Sequence, residues 1–388
     1  MTCGLRNLRR RFFLRRALGS VSAGLTLSGG ALAKAGEFVD QEAGGSSPQG
    51  PPKPAKKIRS LRRTSVSDNF EIQPIADGIY AAIARMNGPA LGSNAAIIVD
   101  QDSVLIVDTH MRPSAAREVI ESVKRITPLP VRYVVNSHFH NDHTQGNQAY
   151  FNSFPRGVEY VCHTNTRRDI IRKAIPRLRE QLKTLPAQIL QSERQLAAAT
   201  DERERARLIK AIESNRAYFE ELRQIDITLP TLTFDNSLFF HRAHDIRVHY
   251  FGRGHTAGDI VLLLPKQRVL ISGDLFLGPH IPYAVDSYPS HWAKTLRAIA
   301  KLDFDQVILG HTSNVRGNQA RKELETLITF MEDVVAQVTE MVRDSKSLES
   351  VKAGLNLRKY KGEFANWETH SGIFIERAYA EAVGNIED

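Results

Sequence analysis

"SHFHNDHTQG", Ser137 to Gly146, places three histidines and an aspartate within six positions, directly after the apolar pair Val134-Val135. His138 and His140 alternate along an extended chain, so both side chains point to one side, as two ligands of one ion require. Asp142 and His143 follow where the Asn, Asp and Gly content signals a turn. A lone His-x-His is as readily a pair of satisfied core or surface histidines. The full H-x-H-x-D-H string is more specific, because four ligand-type residues seldom cluster by chance. It reads as part of a metal site at the end of a strand.

The neighbouring sequence supplies the frame. Ala95–Val99, Val104–Val107, Val131–Val135 and Tyr160–Cys162 are short runs rich in β-branched residues, and they read as strands. Between the second and third, Ser114 to Ile126 has helical spacing, with Ser114 as the expected N-cap and Pro128 beyond the end. A second strand-rich half comprises Ile246–Phe251, Ile260–Leu264, Val269–Ser272 and Val307–Leu309, with a helix expected from about His291 to Ala300. Three further ligand-type residues stand just beyond or beside these strands: His255 in "FGRGHTAGD", Asp274 in "VLISGDLF" and His311 in "DQVILGHT". Strand ends hold a side chain rigidly while leaving it open to substrate. The interrupted βαβ order suggests two sheets packed face to face with helices outside.

Taken in order, H-x-H-x-D-H, G-H-T-x-G-D, S-G-D and G-H resemble the metallo-β-lactamase superfamily of hydrolases, over about residues 75–315 apart from a helical insertion. The resemblance implies an α/β fold: an αββα four-layer sandwich of two packed mixed sheets with outer helices, here with a helical-hairpin insertion at about 166–224. It implies that His138, His140 and His255 bind one metal ion, that Asp142, His143 and His311 bind a second, and that Asp274 bridges them. Imidazole suits Zn²⁺, the expected ion; iron or manganese is the alternative, since Asp274 adds an oxygen ligand and no thiolate is available. Two close ions can lower the pKa of a water held between them from 15.7 to about 7, giving a metal-bridging hydroxide that attacks a carbonyl. Asp142 is also a catalytic candidate, orienting that hydroxide and passing a proton to the leaving group. Asp108, in "VLIVDTH", and Asp259 are candidate acceptors for ligand-histidine N–H groups, the other reading being turn aspartates at strand ends. The segment "GPHIPYAVDSYPSHW" after Asp274 should pass near the metals, so His280, Tyr283 and Asp286 are candidates for substrate contact or for turn stabilisation.

This implies a dinuclear hydrolase cleaving an ester, thioester, lactone or amide bond of a small molecule. An aspartate at 274 is what the glyoxalase II, lactonase and thioesterase branches carry, whereas dedicated β-lactamases usually have cysteine or serine there. Export argues the other way, because β-lactams are met outside the cytoplasm, and an exported metallo-β-lactamase is the alternative. Di-iron oxidoreductase chemistry is disfavoured because no flavin-carrying domain is apparent. A phosphodiesterase or nuclease is disfavoured by charge. The chain carries a formal net charge of +9, but residues 1–63 hold 13 Lys/Arg against 3 Asp/Glu, leaving 39 basic and 40 acidic residues in 64–388. The main body is near neutral, and no nucleic-acid partner is expected.

Residues 1–35 resemble a twin-arginine signal peptide: Arg10-Arg11-Phe12-Phe13-Leu14-Arg15, a weakly apolar stretch from Ala17 to Leu32, then small residues at Ala31, Ala33 and Ala35. That stretch is too short and too rich in Gly and Ser for a stable membrane span. Engagement with the twin-arginine export machinery and a bacterial periplasmic location are therefore expected. Residues 36–69 read as a disordered linker, as in "GGSSPQGPPKPAKK". A catalytic domain over 70–316 and a C-terminal helical extension over 317–388 follow, the latter with a helix from about Lys322 to Met341. In the insertion, Leu178, Leu182, Leu185 and Ile189, then Leu208, Ile212, Phe219 and Leu222, recur at helical spacing, and Asp201 with Glu204 resembles a capping box. A solvated hairpin with one core-facing stripe is expected, a lid or a dimerisation arm being the functional alternatives. Cys162, in an apolar run, reads as a core residue.

Overall fold

A computed structural model describes residues 69–85, 92–154 and 157–386. The expected signal segment and the expected linker up to residue 68 lie outside the described residues. The first sheet holds, in spatial order, β1 (Phe70–Ala76), β2 (Ile79–Ala84), β3 (Ala95–Val99), β4 (Val104–Val107), β5 (Val131–Val135), β6 (Glu159–His163) and β7 (Leu232–Phe234). The second holds β8 (Ser237–His241), β9 (Asp245–His249), β10 (Val261–Leu264), β11 (Val269–Gly273), β12 (Gln306–Leu309) and β13 (Val315–Arg316), in the spatial order β13-β12-β11-β10-β9-β8. Both sheets are mixed: β4, β5, β6 and β7 run parallel, as do β11 and β12, while the other pairs are antiparallel.

The layering follows from side-chain alternation along the strands. In β4, Val104 and Ile106 pack outward with Ala115, Val119 and Val123 of α1 (Pro113–Ile126), and Leu105 and Val107 face the second sheet. In β10, Leu262 and Leu264 meet the first sheet, while Val261 and Leu263 join the helices beyond. With both faces covered, such strands are continuous apolar runs rather than alternating ones. The four-layer αββα arrangement expected from the sequence is the architecture observed.

Two short helices follow β5, α2 (Asn141–Thr144) and α3 (Asn147–Ser153). After β6 come α4 (Thr164–Asp169), a π-helical turn over Ile170–Ala174, α5 (Ile175–Ala198) and α6 (Glu202–Leu222). Leu178, Leu185, Ile189, Ile212 and Leu222 form the apolar seam of this insertion, and the Asp201 side chain accepts from Glu204 N–H at 2.8 Å. The expected N-cap at Ser114 is corrected. Arg112 holds the cap position and Pro113 opens α1, as suits a residue with fixed φ and no N–H. Ser114 lies in the first turn and donates its N–H and hydroxyl to Glu221 of α6, at 3.0 and 2.8 Å.

The segment beyond 316 is integral to the fold. Its helices α8 (Gly317–Arg343), α9 (Leu348–Gly354) and α10 (Trp367–Ala382) join α7 (Pro289–Ala300) on the second sheet, with Leu324, Met331 and Phe374 in one cluster with Trp292, Leu270 and Val307. No helix among the described residues is long and apolar enough to cross a membrane.

Cys162 is buried in β6, and burial pushes its thiol up to about 12. The thiolate forms only as pH approaches that value, so the folded protein should leave Cys162 unmodified by iodoacetamide at pH 8 and expose it in urea. Peptide mass mapping of labelled protein tests this; labelling of Cys162 in the folded state would contradict it.

Candidate metal centre

The parallel strands bring the motifs together. β4 and β5 end side by side, placing Asp108 next to Ser137 and His138; β11 and β12 do the same for Asp274 and His311. Glycines permit the close approach. A Cβ at Gly146 would collide with Thr109 O, and one at Gly310 with Asp274 Oδ1.

All seven expected ligands converge. His138 Nε2 and His255 Nε2 lie 3.0 and 2.9 Å from His140 Nδ1, forming one nitrogen triad. Asp142, His143 and His311 form another set, with Asp142 Oδ2 3.3 Å from His311 Nε2 and 3.6 Å from His143 Nε2. Asp274 stands between them: Oδ2 is 3.1 Å from His311 Nε2 and 3.6 Å from His255 Nε2, and Oδ1 is 3.5 Å from His143 Nε2.

This donor chemistry fits two divalent ions. His143 Nε2 and Asp274 Oδ1 are buried and make no hydrogen bond, so both are left for a partner in the shared space. Burial would lower His143, but Asp108, Asp142 and Asp274 hold it well above its ordinary range, so a metal ion there would take the place of a proton. Burial lowers His138 well below its ordinary range and brings His255 to about 3, keeping both imidazoles neutral and able to ligate. Burial would raise the Asp274 carboxyl, but His311 and His143 hold it well below its usual value. Conversely, burial would lower His311, but Asp274 and Asp142 raise it to about 10. Asp142 of the second set and the shared Asp274 are thus two close carboxylates that need positive charge between them, from protons or a metal.

Asp108 accepts from His143 Nδ1 at 2.7 Å, which directs Nε2 inward. Asp259 is corrected. It accepts the N–H and hydroxyl of Thr256 at 2.7 and 2.8 Å, the bonds of a local turn rather than of a histidine. The equivalent partner of His140 is Asp286, whose Oδ2 is 2.8 Å from His140 Nε2. This is neither of the two roles, substrate contact or turn stabilisation, that the sequence suggests for Asp286.

His140, Asp142, His255, Asp274 and His311 open on a cleft of about 590 Å³. Its outer wall includes His280 and Tyr283 and also Asn366, Thr369 and His370 from the C-terminal segment, which no motif in the sequence points to. Asn366 fixes the substrate-side loop through Ile281 N–H at 2.9 Å and Ile281 O at 2.8 Å. Among the described residues lining the cleft none is Lys or Arg and none belongs to the insertion.

Residues 88–311 match the family model of the Metallo-beta-lactamase superfamily. Curated relatives include the linear primary-alkylsulfatase of Pseudomonas sp. (strain ATCC 19151), 23% identical over 262 residues, covering 61% of this chain and 44% of that protein. The metallo-beta-lactamase type 2 of Elizabethkingia meningoseptica is 31% identical over 85 residues, covering 20% of this chain and 34% of that one. The chain thus spans less than half the length of these curated relatives. Among solved structures, the metallo-beta-lactamase from Pontibacter korlensis is 16% identical with a TM-score of 0.49, covering 67% of this chain and 99% of its own. The metallo-beta-lactamase FIM-1 from Pseudomonas aeruginosa in its mono-zinc form is 18% identical with a TM-score of 0.47, covering 67% and 95%. With the family model matching more than half of its length around two converging donor sets, the chain belongs to the metallo-β-lactamase superfamily.

Proposed function

We propose that this protein is a dinuclear metal-dependent hydrolase of an ester, thioester, lactone or amide. The observation that carries the reading is one carboxylate, Asp274, shared between two donor sets at the floor of an open cleft. His138, His140 and His255 would hold the first ion and Asp142, His143 and His311 the second, with Asp274 serving both. The all-imidazole triad favours Zn²⁺. Bound there, the ions supply Lewis acidity to the substrate oxygen and acidify water toward neutral pH.

The remaining steps fall to the chain itself. Burial would raise Asp142, but His143 and His311 hold it below its ordinary range, so at neutral pH it is an acceptor on the cleft wall. In that state it orients an attacking water and passes the proton to the leaving group. Burial lowers His280, keeping it neutral near pH 7, and with Tyr283 it offers hydrogen bonds to the outer part of the substrate. The described part of the wall, which carries no Lys or Arg, suits an uncharged acyl group better than the carboxylate of a β-lactam. The alkylsulfatase relative favours sulfate-ester cleavage as a second reading. The order of Arg10-Arg11, apolar and small-residue segments supports export by the twin-arginine route to a bacterial periplasm.

A panel tests the reaction: aryl ester, thioester, acyl-homoserine lactone, β-lactam, alkyl sulfate and phosphodiester, supplied to protein loaded with Zn²⁺, Mn²⁺ or Fe²⁺. Turnover should be fastest on one of the first three. Turnover confined to the phosphodiester, or absence of turnover from protein holding two ions, would contradict the proposal.

A further inference from the structure

The insertion contributes nothing to the cleft wall among the described residues, yet it reaches the metal centre from behind. Arg177, in the first turn of α5, donates Nη1–H to Asp286 Oδ2 and Nη2–H to Asp286 Oδ1, both at 2.7 Å. Lys173, four residues earlier in the π-helical turn, lies 3.9 Å from Asp286 Oδ1. Asp286 in turn is bonded to His140 Nε2 and is itself buried. Both cations also lie over the ring of Phe139, each 5.4 Å from its centroid, so the residue between His138 and His140 is covered by the same helix. The π turn immediately precedes α5. Because successive helical residues are about 100° apart around the axis, an extra residue there decides which face presents the guanidinium.

We propose that the insertion is a positioning device for the first metal site, with Arg177 as its working residue. The proposal rests on the dinuclear reading above. Asp286 fixes His140 by accepting from Nε2–H, which leaves the Nδ1 lone pair for the ion. A two-pronged guanidinium locks the plane of the Asp286 carboxylate, whereas an isolated carboxylate could turn away and release the ring. Lysine keeps the charge but cannot reproduce both bonds. The insertion thus acts through packing and hydrogen bonds behind the site, in contrast to a lid that would close over substrate. No side-chain hydrogen bond or ion pair joins Asp142, His143 or His311 to Asp286 or Arg177 among the described residues, so the effect should fall on one ion of the two.

Chelator competition on the metal-loaded full chain tests this, with ion release followed by a metallochromic dye. In Arg177→Met, one ion should leave at about 10- to 100-fold lower chelator concentration than in the unsubstituted protein, the range typical for lost outer partners of a ligand histidine, while the second leaves unchanged. Arg177→Lys should recover part of the affinity. Asp286→Asn, which keeps side-chain volume, should give the same selective loss and serves if Arg177→Met folds poorly by circular dichroism. Release curves for all three variants that superimpose on those of the unsubstituted protein would overturn the proposal. An unsubstituted protein that takes up no metal would instead overturn the dinuclear reading itself.

Discussion

Replacing Asp274 with alanine should remove both metal ions and lower kcat/KM by about 10⁴-fold, equivalent to roughly 5–6 kcal/mol of transition-state stabilisation. The size of the effect follows from position. Every other proposed ligand belongs to one donor set, whereas the two oxygens of Asp274 lie within 3.6 Å of nitrogens from both. Asp274→Asn separates charge from shape. It retains the side-chain volume but cannot supply an anion to both ions, so it should lose activity almost as completely. His255→Ala offers a graded comparison, since it deletes one nitrogen of the first triad and should abolish turnover with one ion retained and the fold intact. Metal stoichiometry, circular dichroism and steady-state kinetics on one preparation check the series. Two tightly held ions in Asp274→Ala, with activity within tenfold of the unsubstituted protein, would sink the bridging assignment.

The donor set was legible because each member belongs to a short motif beside a strand. His138 and His140 follow β5, Asp142 and His143 lie in α2 just after it, His255 stands in the loop between β9 and β10, and Asp274 and His311 follow β11 and β12. The runs Ala95–Val99, Val104–Val107 and Val131–Val135 are strands with the expected bounds; the first two are uninterrupted apolar runs, as burial on both faces requires, and the third is broken only by the exposed Arg132. The edge strands β7 and β8 went unread. Their residues are largely exposed, and the sequence "TLTFDNSLFFH" carries mixed polarity and a central turn. Other failures share a cause: the deciding partner is distant in the chain. Ser114 looked like a helix cap, but Pro113 fits the first helical position and Glu221, more than a hundred residues on, receives the Ser114 donors. Asp108 and Asp259 were equivalent as sequence, each near a strand and a ligand motif. Only the fold shows that one faces His143 and the other its own turn. Arg177 lay in a charged helix whose polar positions read as solvated, and no local pattern distinguishes a guanidinium bound to Asp286 from one in water.

Asp108→Ala should destabilise the metal-free protein by about 3–5 kcal/mol, a loss comparable to breaking a buried charged contact by deleting one partner. Asp108 is buried, and its carboxylate accepts Ser137 N–H, Ser137 Oγ–H and His143 Nδ1–H, each at 2.7 Å. Alanine leaves three buried donors, and each unsatisfied donor costs about 1–3 kcal/mol, partly recovered where a water enters. The backbone adds to this, because Asp108 has φ of +64°, a region that asparagine and aspartate enter more readily than alanine. Asp108→Asn should therefore be milder in stability. Its amide tolerates the same φ and keeps one acceptor oxygen, but its NH₂ group faces donors where the second carboxylate oxygen stood. Affinity for the second ion should still fall about 10- to 100-fold in Asp108→Asn, since His143 loses its charged partner. Urea unfolding must be measured with chelator present, because a bound ion would add its own stabilisation to the folded state. A metal-free Asp108→Ala protein within 1 kcal/mol of the unsubstituted chain, on this scale of buried-donor costs, would show that Ser137 and His143 are held by other contacts.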